Sequence, residues 1–248
     1  MKTTGNTILI TGATSGIGLG LARRLHAEGN TVIIAGRREH LLAAITAEHQ
    51  GMDSIVLDVA DPASIRRCFA AVTAAHPELN VVVNNAGIML AEDLTDPAHL
   101  DVAEATVATN LLGPIRMLTQ FVPFLTAQPD AAVVNVSSGL AFVPLPATPT
   151  YCATKAAIHS YTQSLRVQLA GTGVSVLELI PPAVQTDLMG QNDSDRAMPL
   201  EAFLTEVMDI LATQAGASEI CVQDVMFLRT AEATGHHEQV LALLSGAH

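Results

Sequence analysis

The chain has 248 residues, 49% of them hydrophobic and 15% charged, with a formal net charge of −12 at pH 7. That length fits one α/β domain with a sizeable core, or two small domains. The acidic balance argues against nucleic acid and anionic membrane as partners, because both need basic surface, so a site for an anionic cofactor must be a local exception.

In chain order, strands are expected at TILIT (7–11), TVIIA (31–35), SIVLD (54–58), VVVNN (81–85), AVVNVS (132–137), VSVLELI (174–180) and near EICVQDV (219–225). They read as continuous apolar runs, as a parallel sheet covered on both faces requires. Amphipathic helical stretches such as GLARRLHAEG (20–29) and EHLLAAITAEH (39–49) lie between them. This alternation predicts an α/β, doubly wound Rossmann fold: seven mostly parallel strands with helices on both faces. The even composition points to one domain over 1–248. Cys68, Cys152 and Cys221 are odd in number and far apart, which reads as reduced thiols in a cytoplasmic protein. MKTTGNTILI carries no signal-peptide pattern, and no apolar run approaches the roughly 20 residues of a membrane helix.

TGATSGIG (11–18) follows the first strand and opens the first helix. Gly12 permits a tight turn, and Gly16 and Gly18 permit close approach of backbone to a pyrophosphate. The helix N-terminus adds free N–H groups and partial positive charge. About 20 residues on, an acidic side chain would favour NAD by holding the ribose 2′-OH. Instead Gly36 is followed by Arg37 and Arg38. Arg holds a 2′-phosphate by charge-assisted hydrogen bonds, so NADP(H) is the expected cofactor. The plain alternative is that both arginines decorate a helix start.

Tyr151 and Lys155 lie one helical turn apart and share a face. A free tyrosine, with pKa near 10, is a poor acid–base group at neutral pH; a neighbouring ammonium favours the phenolate and lowers that value. Asn110 lies in the helical stretch ATVATNLLGPIRML, four residues before Pro114. Proline has no N–H, so the carbonyl of Asn110 loses its usual partner and is free to hold a water; a simple kink with a solvated Asn110 is the alternative.

The glycine spacing T-G-x-x-x-G-x-G, together with LDV (57–59), NNAG (84–87), TNLLGP (109–114), VSS (136–138) and YCATK (151–155), resembles the short-chain dehydrogenase/reductase family, in its roughly 250-residue branch, from end to end. The resemblance implies cofactor contacts from Gly12, Ser15, Ile17, Gly18, Asp58, Val59, Asn85, Ala86, Gly87, Val184 and Thr186, beside Arg37 and Arg38. Asp58 would meet the adenine amino group, Asn84 would be structural and Asn85 the cofactor-side residue. It implies a catalytic set of Asn110, Ser138, Tyr151 and Lys155. Tyr151 would donate the proton, Lys155 would activate it and hold the nicotinamide ribose, and Asn110 would hold the water. The thirteen-residue spacing to Tyr151 selects Ser138 over its neighbour Ser137 as the group sharing the substrate oxygen. Substrate contacts are then expected from Ser138, Leu140 and Tyr151.

Two regions depart from the family pattern. PPAVQT (181–186) has Pro182 where the family has glycine, which stiffens the turn under the nicotinamide. The usual Gly-Gly after the last strand is missing, and residues 221–244 are expected to run on into a helix. Residues 184–203 are expected to form a mobile substrate lid. In GLAFVPLPATP (139–149), Leu140, Phe142, Val143 and Leu145 are candidates to line an apolar pocket, part of them packing beneath the loop instead. No Arg or Lys occurs there, so a neutral, moderately apolar ketone is expected. His236, His237 and Glu238 read as solvated, and His26, His49 and His159 as surface or satisfied; no metal is expected. The combined expectation is an NADPH-dependent reductase of a small-molecule carbonyl, acting as a homodimer or homotetramer. Its rivals are an NAD-dependent alcohol dehydrogenase and an NADPH-sensing protein that has retired its chemistry.

Overall fold

The computed structural model describes residues 1–214 and 216–246. The first half of the chain alternates β1 (Thr7–Thr11), α1 (Gly16–Ala27), β2 (Thr31–Gly36), α2 (Glu39–Glu48), β3 (Asp53–Val56), α3 (Pro62–Ala75) and β4 (Val81–Asn84). The second half continues with α4 (His99–Val107), α5 (Gly113–Leu125), β5 (Ala132–Val136), α6 (Pro149–Leu169), β6 (Ser175–Ile180), α7 (Leu200–Thr213) and β7 (Glu219–Cys221), then α8 (Met226–Arg229) and α9 (His237–Ser245). The strands form one seven-stranded sheet in the order β3-β2-β1-β4-β5-β6-β7. Every pairing is parallel, where the sequence had suggested a mostly parallel sheet. The order reverses between β1 and β4, so a crevice opens beyond the ends of those two strands.

Alternation along the strands divides the core. Ile8 and Ile10 pack with Leu21, Leu25, Phe203 and Leu204 of α1 and α7 on one face. Leu9 packs with Ile65, Met117, Phe121 and Leu165 of α3, α5 and α6 on the other. Each helix start has its own cause. Asp61 accepts from the Ala63 and Ser64 N–H groups ahead of Pro62 and so caps α3. The start of α6 is held from another loop: Glu92 accepts from the Thr150 N–H (2.9 Å) and hydroxyl (2.7 Å). At α1, Ser15 makes no side-chain cap, which leaves the first N–H groups facing the crevice.

Several boundaries differ from the sequence expectation, and three of these differences fall beside the crevice. β3 stops at Val56 rather than Asp58. Leu57 N–H still reaches Gly36 O (2.9 Å), but Asp58 N–H turns to the Ser64 hydroxyl. In the segment 184–203, α7 already begins at Leu200, and a Val184–Met198 bridge pins the base of the stretch before it. Within it, Met189 and Gly190 both take positive φ (56° and 65°). The C-terminal run is not one helix: Gly235, with φ of 74°, lies between α8 and α9. Among the described residues no helix is long and apolar enough to cross a membrane, and Cys68, Cys152 and Cys221 are unbridged.

Candidate active site

The crevice is a cleft of about 1460 Å³. That exceeds the usual volume for one small ligand, roughly 300–1,000 Å³, and leaves room for a dinucleotide and a substrate together.

One half of the cleft is made of backbone. A Cβ on Gly12 would lie 2.7 Å from Ala86 Cα, so the turn after β1 and the turn after β4 touch with nothing between them. A Cβ on Gly18 would lie 2.4 Å from Asn85 Nδ2 and 2.6 Å from Gly12 O. Asn85 holds the turn by donating to Thr11 O (2.9 Å) and Gly12 O (3.2 Å). The Thr11 hydroxyl accepts from the N–H groups of Asn85 and Ala86, both at 3.0 Å. Asn85 thus lines the cleft while its amide serves the protein, and Asn84 is structural, donating to Asn135 Oδ1. Ser15, Ile17, Asp58, Val59, Gly87, Val184 and Thr186 also line the cleft. The Asp58 carboxylate accepts from Ala60 N–H.

Arg37 and Arg38 both reach the cleft, and both are exposed. Arg38 is the fixed one. Its guanidinium donates to the Thr14 hydroxyl (2.6 Å) and the Ser15 hydroxyl (2.9 Å). Position 36 has little room for a side chain, since a Cβ there would lie 3.0 Å from Thr14 Cγ2.

Helix α6 supplies the reactive groups. Tyr151 and Lys155 are both buried, and the Lys155 ammonium lies 5.5 Å from the centre of the Tyr151 ring. Lys155 also donates to Val136 O (2.8 Å). Burial pushes the Tyr151 phenol up to about 12, with the Ser138 hydroxyl beside it pulling the other way. Burial pushes Lys155 down to about 8, with the Glu178 carboxylate opposing. The tyrosine is therefore raised where a lowering by its lysine was expected: burial is the largest influence, and the group opposing it is the Ser138 hydroxyl rather than Lys155.

The two serines separate by direction. Ser138 lines the cleft beside Tyr151 and accepts from Leu140 N–H. The Ser137 hydroxyl donates to Glu178 instead. Asn110 lies in a π-helical turn, Ala108–Leu112, between α4 and α5, and is 2% exposed, which rules out a solvated side chain. Its amide clamps Ile88, accepting from the N–H (2.9 Å) and donating to the carbonyl (2.8 Å).

Leu140 and Leu145 line the same cleft as Ser138 and Tyr151. Phe142 and Val143 do not: Phe142 packs against His159 and Arg229, and Val143 is buried with Leu228 and Val240. The sulfur of Cys152 faces this loop, accepting from Leu145 N–H. The opposite wall comes from the C-terminus, through Phe227, Leu228, Leu243 and Leu244. The amphipathic pattern of that segment gave no sign of it. His237 pairs with Glu238 at 3.5 Å, away from any third ligand among the described residues. The cluster that does form, His159, Glu178 and Glu219, draws on a glutamate hidden in an apolar run.

A doubly wound sheet with a glycine turn at its switch point is the frame of a dinucleotide-binding fold. The chain belongs to the short-chain dehydrogenase family, whose model matches residues 6–197. It is 41% identical over 240 residues to DltE of Bacillus subtilis (strain 168), described as an uncharacterized oxidoreductase, with 93% of each chain covered. Its fold is similar to that of a short-chain dehydrogenase from Burkholderia cenocepacia J2315 in complex with NADP, at a TM-score of 0.82, 24% identity and 98% coverage of both chains. It is also similar to the actinorhodin polyketide ketoreductase with NADPH, at a TM-score of 0.79 and 26% identity over 89% of this chain and 97% of that one. The chain is an oxidoreductase of this family.

Proposed function

We propose that the protein is an NADP(H)-dependent carbonyl reductase that converts a ketone to a secondary alcohol. The observation that carries this reading is the meeting of Ser138, Tyr151 and Lys155 in the same cleft as the glycine turn. The cleft fits the cofactor. Gly12, Ser15, Ile17 and Gly18 leave the backbone and the α1 N-terminus open to a pyrophosphate. Arg37 and Arg38 offer guanidinium groups to a 2′-phosphate, and no carboxylate stands at position 36 to take a ribose hydroxyl. Asp58, Val59, Asn85, Ala86 and Gly87 would flank the adenosine and ribose, with Val184 and Thr186 at the nicotinamide end.

Bound NADPH supplies the hydride. The Ser138 hydroxyl and the Tyr151 phenol would both donate to the substrate carbonyl oxygen, and Tyr151 would surrender its proton as charge develops there. A phenol pushed up to about 12 by burial stays protonated at neutral pH, as the proton donor of a reduction must. Lys155 would stabilise the phenolate left behind and hold the nicotinamide ribose. The carbonyl of Asn110, with Pro114 four residues on, would hold the water that returns the proton. Leu140, Leu145 and the C-terminal wall favour a neutral, moderately apolar ketone. The same reading carries a homodimer or homotetramer in the cytoplasm.

NADPH oxidation across aliphatic, aryl, cyclic and steroid-like ketones, repeated with NADH, tests the reading. Tyr151→Phe should lower kcat by about 10²–10⁴-fold and leave NADPH binding intact; a variant with kcat unchanged removes Tyr151 from its role. Equal use of NADH would favour the alcohol dehydrogenase. Tight NADPH binding with no turnover would favour the sensor.

A further inference from the structure

Behind the catalytic face lies a buried charge that the scheme above does not use. Glu178 is 0% exposed. The pairing of β5 with β6 sets it opposite Asn135, on the α6 side of the sheet. Its carboxylate accepts from the Ser137 hydroxyl and faces His159 Nδ1 at 3.0 and 2.9 Å. Ser137 immediately precedes Ser138. His159 lies one helical turn beyond Lys155, which lies one turn beyond Tyr151, so all three share one stripe of α6. The hydrogen-bonded Glu178–His159 contact therefore joins the strand end carrying the serine to the helix carrying the tyrosine and lysine.

We propose that Glu178 is a positioning residue for the carbonyl reduction. Its buried carboxylate ties the Ser137–Ser138 strand end to α6 through His159 and serves as the counter-charge of Lys155. This rests on the reductase reading. An ion buried so completely needs a partner, and here the partners lead to the catalytic serine and lysine.

The surrounding charges fix the sign of the effect. Glu178 faces His159 of α6 and Glu219 of β7 directly, and its charge acts on Lys155 of α6, Cys221 of β7 and Arg229 of α8. Arg166 of α6 lies near Glu219. Arg229 takes both oxygens of Glu219, at 2.8 and 3.0 Å, and holds that carboxyl below its usual range. With the Glu219 charge engaged there and the Cys221 thiol pushed up to about 11, Glu178 is the negative charge left for Lys155. Removing a negative charge makes every nearby proton easier to lose. The Lys155–Tyr151 pair then deprotonates at lower pH, whichever of the two loses its proton first. A metal ion would have to displace these existing partners of His159, Glu178 and Glu219.

The experiment uses the composition of the chain. Lys2 and Lys155 are its two lysines, so lysine ε-carbon labelling gives two resonances, and K2R assigns them. In the wild type Lys155 should titrate near about 8. In E178Q, which keeps the shape and an acceptor for Ser137, it should titrate about one pH unit lower. E178D, which keeps the charge, should restore the wild-type titration, and E178M is the second uncharged variant should E178Q fold poorly. In ketone reduction, kcat of E178Q should fall by roughly 10–100-fold with KM little changed, and the alkaline limb should move down with the lysine. A fall in kcat with the lysine titration and the limb unmoved overturns the proposal, leaving Glu178 a packing residue. A moved lysine in a protein that reduces no ketone overturns the reductase reading and leaves the Glu178–Lys155 pairing standing.

Discussion

The two halves of the cleft are built differently. The half around the glycine turn, where the cofactor is proposed to lie, is close-packed, with Gly12 on the Ala86 backbone, Gly18 on the Gly12 carbonyl, and the Asn85 side chain locking the turns. The substrate half is side chain against open space: Phe227 is 50% exposed, Leu243 62% and Leu188 38%. Backbone contact leaves no tolerance, because an added methyl strikes something that cannot rotate away. Exposed side chains can change shape without disturbing the fold. On the proposed function, the first half would fix the cofactor and the second would be free to set which substrate is accepted.

Substitutions can break this contrast. The largest effect is expected from Gly18→Ala, whose methyl would overlap Asn85 and the Gly12 carbonyl. It should cost about 1–3 kcal/mol of stability, the usual penalty of overpacking, and cofactor titration should show NADPH and NADH affinity lost together. Next comes Arg38→Ala. Charge-assisted hydrogen bonds contribute roughly 1.5–3 kcal/mol, so the NADPH Kd should rise by about 10–100-fold while that for NADH holds. Arg37→Ala should act in the same direction. Equal losses for both cofactors would remove the arginines from the 2′-phosphate. The smallest effect is expected from Leu243→Ala. Thermal unfolding should show a change within about 0.5 kcal/mol, as for other surface sites. KM for bulky ketones should shift while NADPH affinity stays put; a loss of NADPH affinity would mean the halves are not separable.

The cofactor half was legible in the sequence because steric demands write themselves as glycines, and buried parallel strands as unbroken apolar runs. The acid–base pair was legible because a four-residue spacing puts Tyr151 and Lys155 on one face whatever surrounds the helix. Ser138 and Ser137 were told apart by spacing and resemblance, and the structure turns them to opposite partners. Glu178 was invisible: one carboxylate within VSVLELI carries no sign of which helix covers it until strand register is known. The clamp of Asn110 on Ile88 spans 22 residues and leaves no local pattern. Desolvation, the largest influence on Tyr151, depends on burial that a residue spacing does not report. The C-terminal wall was missed because Phe227 and Leu243 read as ordinary helix residues.

Gly139, just past Ser138, has no room for a Cβ: one would lie 2.6 Å from Leu228 and 2.8 Å from Val225. The loop bearing the serine and the C-terminal wall of the cleft therefore press directly on each other. If the proposed reductase is evolved toward a new ketone, changes at 225 or 228 should trade enantioselectivity against turnover, since they push on the loop bearing Ser138. Libraries at 188 and 243, both exposed and neither part of that contact, should vary the two independently.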